Sequence, residues 1–570
     1  MTNQVLIEQV EPSEFVEVHF PDGRVLKGPR GTTVGEFLES AQKDGDVPYV
    51  AAIVNSELHE LTHRIERESE ISPVTRADQD GARIYRRSLT FLLEVAFSHL
   101  FPTGRLLIDH SVASGGYYCH VIGRIPLDEA ELQELNNLML QYVLEDLPFI
   151  RKILPLDEAR AYFEKMDYPD KVRLLAHRHK DYVTLYQLSG YMDYHHGYMV
   201  PSTGYLSCFD LSKADGGFTL RFPQRSHPTQ LLPLPGYPKL LSMFRQYGEW
   251  LERLGIDNVG ALNDATCAGR TREVILVSEA LHEQNIASIA RQIFMREEPV
   301  RLILVSGPSS SGKTTFSRRL AVQLLALGIS PFALELDNFF VDRDKSPIGE
   351  NGEIDFEALE TLNLEQLAEK LTKLISGDPV QLPRYDFING RQMEGDLIQL
   401  NKDQIIILEG IHGLNPGLIP EPLRKLAFRI YVSCLTQINL DRHNRVSTTD
   451  TRLIRRIVRD ANQRGYSAAE TINRWESVGR GEAKHIFPFQ ENADVMFNSA
   501  LVYELSAMVR LAEPLLRQVP YGKQEYIEAK RLLAFLEWFK PVETDLIPDN
   551  SLLREFIGGS NLEDFKIWSG

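Results

Sequence analysis

RLILVSGPSSSGKTTFSRRLAVQLLALG, Arg301 to Gly328, sets a run of buried-strand residues, a glycine-bearing loop and an amphipathic helical pattern one after another. The loop satisfies GxxxxGK[ST] with Gly307, Gly312, Lys313 and Thr314. Backbone N–H groups around such glycines, together with a helix N-terminus, can wrap phosphate oxygens. Lys313 would then reach the outer phosphates, and the Thr314 hydroxyl would ligate Mg²⁺. The plain structural alternative is a glycine-rich strand-to-helix turn. The stretch therefore predicts an α/β unit with a parallel sheet and a phosphate-binding loop at its carboxyl edge.

Neighbouring segments extend this unit. FALELDNFF ends an apolar strand at Asp337 and QIIILEGIHG ends another at Glu409, while FRIYVSC and ADVMFNSA supply two further strands. In an open parallel sheet the carboxyl ends of strands face the ligand crevice. Asp337 is thus a candidate base for an acceptor hydroxyl, or else a helix cap. Glu409 is a candidate Mg²⁺ carboxylate, or else a strand-end surface acid. Downstream, DTRLIRRIVRDANQRG places Arg452, Arg455, Arg456 and Arg459 at i, i+3, i+4 and i+7 on one helical face. Such a face either closes over a migrating phosphoryl group as a lid or is a solvated basic face paired with Asp450 and Asp460.

The marks GPSSSGKTT, LDNFF, EIDFEAL, LPRYDF, IILEGIHGL and DTRLIRRIVRD-x-x-x-RG make the segment from about Leu302 to Ala500 resemble the uridine kinase and phosphoribulokinase family of P-loop kinases. That resemblance implies ATP and Mg²⁺ as cofactors, bound along Gly307, Pro308, Ser309, Ser310, Ser311, Gly312, Lys313, Thr314 and Thr315. It implies Thr314 and Glu409 at the metal, and Asp337, Lys313, Arg455 and Arg459 in catalysis. Asp355, Tyr385, Arg391 and Arg452 are implied as acceptor contacts. One departure stands out. Uridine-cytidine kinases continue YDF with two residues, a base-reading histidine, one residue and arginine, whereas YDFINGR is one residue shorter and sets Gly390 opposite that histidine.

The front half reads differently. FVEVHF alternates, PDGR turns, and TTVGEFLESAQ starts a helix with Thr32 or Thr33 as its cap. SLTFLLEVAFSHLF and LDEAELQELNNLMLQYVLEDL read as helices, YYCHVIGRI and DYVTLYQLSGY as strands, and SEALHEQNIASIARQIFMREE as a connecting helix. VHFPDGRVLKGPRGTTVGEFL and VNSEL resemble a TGS domain, and RRSLTFLLEVAFSHLFP with YMDYHHGYMVPSTG resembles the editing domain of threonyl-tRNA synthetases. The HxxxH and CxxxH of that editing domain fall here on Arg87 and Phe91, and on His195 and Met199. One potential ligand of four persists, too few for a metal that wants three or four N, O or S donors. His195 therefore reads as the remnant of a site, which His196 and His120 could rejoin.

The expected architecture is α/β. A small α+β, β-grasp-like TGS domain (15–85) and an α+β editing-like domain (86–235) precede a helical connector (236–298). A P-loop kinase domain with helices on both faces of its sheet (299–517) and a largely helical tail (518–570) follow. The formal charge of -17 over 570 residues, with 43% hydrophobic and 25% charged, describes a globular chain of several domains and argues against broad attachment to nucleic acid or anionic membrane. Residues 1–85 alone hold 16 acids against 8 Lys or Arg, an unpromising surface for tRNA, though tRNA binding stays open. Cys119, Cys208, Cys267 and Cys434 form no CxxC pair, and no apolar run reaches membrane-span length. A cytoplasmic location and no membrane partner are expected, and a homo-oligomer is compatible.

The expected reaction is phosphoryl transfer from ATP to the 5′-hydroxyl of a nucleoside. Two alternatives remain: a P-loop kinase for a sugar phosphate or other small alcohol, and a nucleotide-gated tRNA- or amino-acid-binding regulator.

Overall fold

The computed structural model describes residues 11, 13–42, 47–112, 115–234, 236–348, 355, 357–386, 389–436 and 438–565. Glu353, Ile354 and Phe356 of the EIDFEAL run, and Phe387 and Ile388 of YDFINGR, lie outside the described residues.

The strand Leu302–Ser306 is the centre of a five-stranded parallel sheet. Its order is Pro331–Glu335, Ile405–Glu409, Leu302–Ser306, Ala427–Ser433, Val495–Asn498. Because successive side chains alternate between two covered faces, Leu302–Ser306 and Ile405–Glu409 read as nearly unbroken apolar runs, while Ala427–Ser433 is interrupted by Arg429. Leu302, Leu304, Ile406 and Leu408 pack on one face with Leu367, Leu371 and Leu374 of the helix Leu364–Ser376. Ile303, Val305, Ile405 and Ile407 pack on the other with Phe316 and Leu320 of the helix Lys313–Ala326 and Ile286 and Ile289 of the helix Thr271–Phe294. Both faces are covered, as the α/β expectation requires. A hairpin of Val380–Asp386 with Arg391–Ile398, whose broken alternation the sequence hid, projects beside the sheet.

In the front half a five-stranded mixed sheet of Phe15–His19, Val25–Pro29, Tyr49–Val54, Glu57–Glu60 and Ser69–Thr75 packs on the helix Val34–Ala41. Thr33, rather than Thr32, is the cap: its hydroxyl accepts from Glu36 N while Glu36 accepts from Thr33 N at 2.8 Å. Behind it, the helix Gln79–Leu100 packs with three- and four-stranded antiparallel sheets.

The tail binds both halves. Arg83 pairs with Glu528 at 2.6 Å and Lys530 with Glu57 at 2.9 Å, while Leu552, Leu553 and Phe556 join the core of the parallel-sheet unit. Front and back halves also meet directly. Arg442 N donates to Asp170 at 2.8 Å, and Lys171, fully buried, reaches Asp441 at 2.9 Å. Among the described residues no helix is long and apolar enough to cross a membrane.

Candidate active site

The loop after Leu302–Ser306 is shaped by close approach. A Cβ on Gly307 would stand 1.9 Å from the Val432 carbonyl oxygen, so only glycine fits where the loop passes the neighbouring strand. Gly312, at φ +85°, turns the chain into the helix Lys313–Ala326. Lys313 Nζ folds back to the Pro308 carbonyl at 3.1 Å, and burial lowers its pKa. The Ser310 and Ser311 hydroxyls are buried and make no hydrogen bond.

The crevice in front of this loop holds about 630 Å³. Thr314 Oγ1 donates to Glu409 Oε1 at 2.9 Å, so the two groups expected at a metal already touch. Burial pushes Glu409 up to about 7, with Glu555 adding repulsion and Lys313 opposing both. Asp337 sits in the single turn Leu336–Phe339 that follows the strand Pro331–Glu335. Its carboxylate faces the open crevice, yet the surrounding walls displace enough water, with Glu335 adding repulsion, to push it up to about 6. Tyr385 lines the outer wall, its ring edge-on to Phe340 at 5.5 Å. Gly390, at φ +64°, lies beneath Arg343, whose Nε would stand 2.9 Å from an added Cβ.

The four arginines of the helix Thr448–Arg459 divide. Arg456 and Arg459 line the crevice, Arg456 bonding Ser309 Oγ at 2.9 Å and both pairing with Asp460. Arg452 and Arg455 are fully buried and point into the protein. Arg452 pairs with Glu482 and donates to the Ser309 carbonyl at 2.8 Å. Arg455 Nε donates to Glu504 at 2.6 Å, with its guanidinium over Phe556 at 4.9 Å. One helical face was expected to address one anion, but its inner edge meets buried carboxylates instead. Asp355 is held by Lys484 and His485 at 3.6 and 3.4 Å, and neither it nor Arg391 lines the crevice.

Three further acids complete the site: Glu482 and Glu555, which no motif announces, and Glu357, which lies within the EIDFEAL run but is not singled out by it. Glu482 Oε1 accepts from Ser309 N at 2.9 Å. Glu357 lines the crevice, and burial with Glu482 nearby pushes it up to about 7. Glu555, from the tail, accepts from Thr315 N at 3.1 Å and Thr315 Oγ1 at 2.8 Å, while Leu552 packs on Gly312. A carboxylate thus occupies donors of the phosphate-binding loop.

In the front half, His195 is buried 5.2 Å from the Phe91 ring and 3.3 Å from Glu94 Oε2. Asp193 and His443, the latter from the other half of the chain, pair at 2.8 Å beside it. Lys171 neutralises Asp193 at 2.8 Å. His196 contacts the Tyr194 hydroxyl at 3.3 Å, whereas His120 stands away on another surface. The rearranged cluster is therefore built from Glu94, Asp193 and His443, which no alignment to HxxxH or CxxxH could reveal.

Comparison with known proteins finds a family match within the back half. Residues 302–506 match the Phosphoribulokinase / Uridine kinase family. The matched segment contains every crevice residue named above except Glu555. The N-terminal region is similar to the threonine–tRNA ligase of Acidovorax sp. (strain JS42), 31% identical over 208 residues, which are 36% of this chain and 32% of that protein. The chain spans about a third of the length of the curated relatives it matches. Among solved structures, a "possible uridine kinase" from Bacillus stearothermophilus is 20% identical, covering 38% of this chain and 98% of its own, with a TM-score of 0.26. A D-glycerate 3-kinase from Cryptococcus neoformans is 17% identical, covering 49% of this chain and 89% of its own, with a TM-score of 0.19.

Proposed function

We propose that the chain is an ATP-dependent kinase for a small alcohol, with the 5′-hydroxyl of a nucleoside as the favoured acceptor. The observation that supports it most is that Asp337 lines the same crevice as Lys313, Thr314 and Glu409, with its carboxyl pushed up to about 6 by the surrounding walls. A base with that pKa is ionised at neutral pH and still basic enough to orient or take a hydroxyl proton.

The hydroxyl of Thr314 and the carboxylate of Glu409 are hard oxygen donors in contact, a pair that suits Mg²⁺. When bound, that ion would neutralise charge on the β- and γ-oxygens. The protein does the rest by position. Asp337 takes the acceptor proton as the acceptor oxygen bonds to the γ-phosphorus. The bond from that phosphorus to the β–γ bridging oxygen breaks in line, and ADP leaves. Lys313, Arg456 and Arg459 face the charge that develops on the equatorial oxygens.

A second reading, phosphorylation of an acceptor that is itself anionic, is favoured by Arg343 lying over Gly390 where the resemblance sets a base-reading histidine. Turnover of ATP against separate panels of nucleosides and of sugar phosphates, with products weighed by mass spectrometry, separates the two. Acceptor-independent hydrolysis alone would refute both.

A further inference from the structure

A second cavity, of about 350 Å³, lies where the front half meets the back. No residue lines both it and the kinase crevice. Its walls are the helix Gln79–Leu100, the His195–His196 turn, residues 440–450 and the tail helix Glu525–Leu536.

Six arginines line it: Arg83, Arg86, Arg87, Arg225, Arg445 and Arg531. Three are compensated. Arg83 and Arg531 share Glu528 and Asp450, and Arg225 pairs with Glu476 at 2.6 Å. The other three have no carboxylate within ion-pair distance among the described residues. Arg86 donates to the Ala82 carbonyl at 3.0 Å, and Arg87 to the Tyr198 carbonyl. Arg445 donates to the Asp109 carbonyl at 3.0 Å, while the Asp109 carboxylate is turned to His110. Burial lowers the pKa of Arg87 to about 10, and that of Arg445 falls for the same reason. Arg86 also lies over the Phe222 ring at 5.7 Å and Arg445 over the Tyr117 ring at 4.8 Å, contacts that leave these half-buried charges without a counter-anion, which is costly unless an anion faces them.

His195, 4% exposed, also lines the cavity, but its Nε2 is turned to Glu94 Oε2 at 3.3 Å. One further observation points to a ligand. Ser447 and Thr449, at the N-terminal end of the helix Thr448–Arg459, form another wall, a polarity that favours negative charge. That helix ties the cavity to the phosphate-binding loop, because its Arg452 and Arg456 both bond Ser309.

We propose that this cavity is an effector site for a small phosphorylated metabolite, a phosphomonoester of about mononucleotide size, held by Arg86, Arg87 and Arg445. Three planar forks suit a dianionic phosphate better than a single carboxylate, and the volume falls in the range of small-ligand sites, about 300–1,000 Å³. Because the helix Thr448–Arg459 forms both the cavity wall and the cover of the loop, occupancy alters nucleotide affinity in the crevice.

The test is calorimetric titration of the full chain with inorganic phosphate, ribose 5-phosphate and nucleoside monophosphates. The proteins compared are the wild type, the double variant Arg87→Met with Arg445→Met, and Tyr385→Ala, which touches only the crevice. At least one phosphomonoester should bind the wild type and Tyr385→Ala alike and lose about tenfold or more in the double variant. Binding of inorganic phosphate alone would reduce the site to a bare anion site and overturn the metabolite. Thr449→Trp, which fills the cavity from an exposed position and removes no charge, should weaken the same ligand if the arginine variant does not fold. MgATP affinity should change about fivefold or more when that ligand is added. The idea is overturned if no phosphomonoester binds, if Tyr385→Ala rather than the cavity variants abolishes binding, or if MgATP affinity is unmoved. Retention of RNA 3′ ends with no free phosphomonoester bound would equally overturn it.

Discussion

Replacing Glu555 by glutamine should tighten nucleotide binding. In the structure one Glu555 carboxylate oxygen takes both the Thr315 N–H, at 3.1 Å, and the Thr315 hydroxyl, at 2.8 Å. These are donors that a phosphate would use, so a nucleotide must displace the carboxylate and endure its charge. A hydrogen bond to a charged group contributes about 1.5–3 kcal/mol, and a neutral one about 1. Glu555 is half-buried, and the carboxamide oxygen of Glu555→Gln still accepts one bond. The net loss from the nucleotide-free state is therefore about 1–2 kcal/mol, which appears as ATP binding roughly 5–30-fold tighter. Isothermal titration of ATP into both proteins measures it directly. Unchanged affinity would refute the competition argument. Weaker affinity would show that Glu555 supports the bound nucleotide instead of opposing it.

Asp337→Asn should cut turnover by about 10²–10⁴-fold with ATP affinity nearly unchanged. In the wild type, kcat/KM should fall as pH drops through about 6, because the base is then protonated; a flat acid limb there would remove Asp337 from that role. Gly307→Ala should cost at least about 1–3 kcal/mol of stability in urea melts, since its Cβ meets the Val432 carbonyl and backbone cannot rotate aside. Arg455→Met strands Glu504 and should destabilise the fold by about 3–5 kcal/mol, whereas Arg459→Met should leave the melt within about 0.5 kcal/mol and lower kcat. Lys171→Met should destabilise by a similar 3–5 kcal/mol or so, because Asp193 and Asp441 both lose their buried counter-charge.

The parts legible in the sequence are those that one contiguous segment encodes. Strand, loop and helix around Gly307 to Thr315 follow from apolar runs on either side of glycines that nothing else could replace. The strand-end positions of Asp337 and Glu409 follow from where the apolar runs stop. The helical face of Arg452 to Arg459 was equally plain, but periodicity gives a face and not its surroundings. Glu482 and Glu504 lie 30 and 49 residues along the chain from the arginines they neutralise, so the division into two structural and two crevice guanidiniums could not be read. Glu555 is farther still, 240 residues from Thr315, in a tail that reads as amphipathic and then loop-like. The front-half cluster was hidden for the same reason. Glu94 stands seven residues beyond Arg87 on the helix that carries the lost HxxxH, and His443 arrives from the opposite half of the chain.

Asp337 and the phosphate-binding loop are proposed to move, together, a phosphoryl group from ATP to an alcohol. Mass spectrometry of products from ATP, Mg²⁺ and a panel of nucleosides, sugar phosphates and small alcohols tests it most directly, with wild type and Asp337→Asn side by side. One class of acceptor should be converted to its phosphomonoester by the wild type, a nucleoside 5′-monophosphate first among them, and almost none by the variant. ATP bound without any acceptor-dependent product, or equal product from Asp337→Asn, would contradict it.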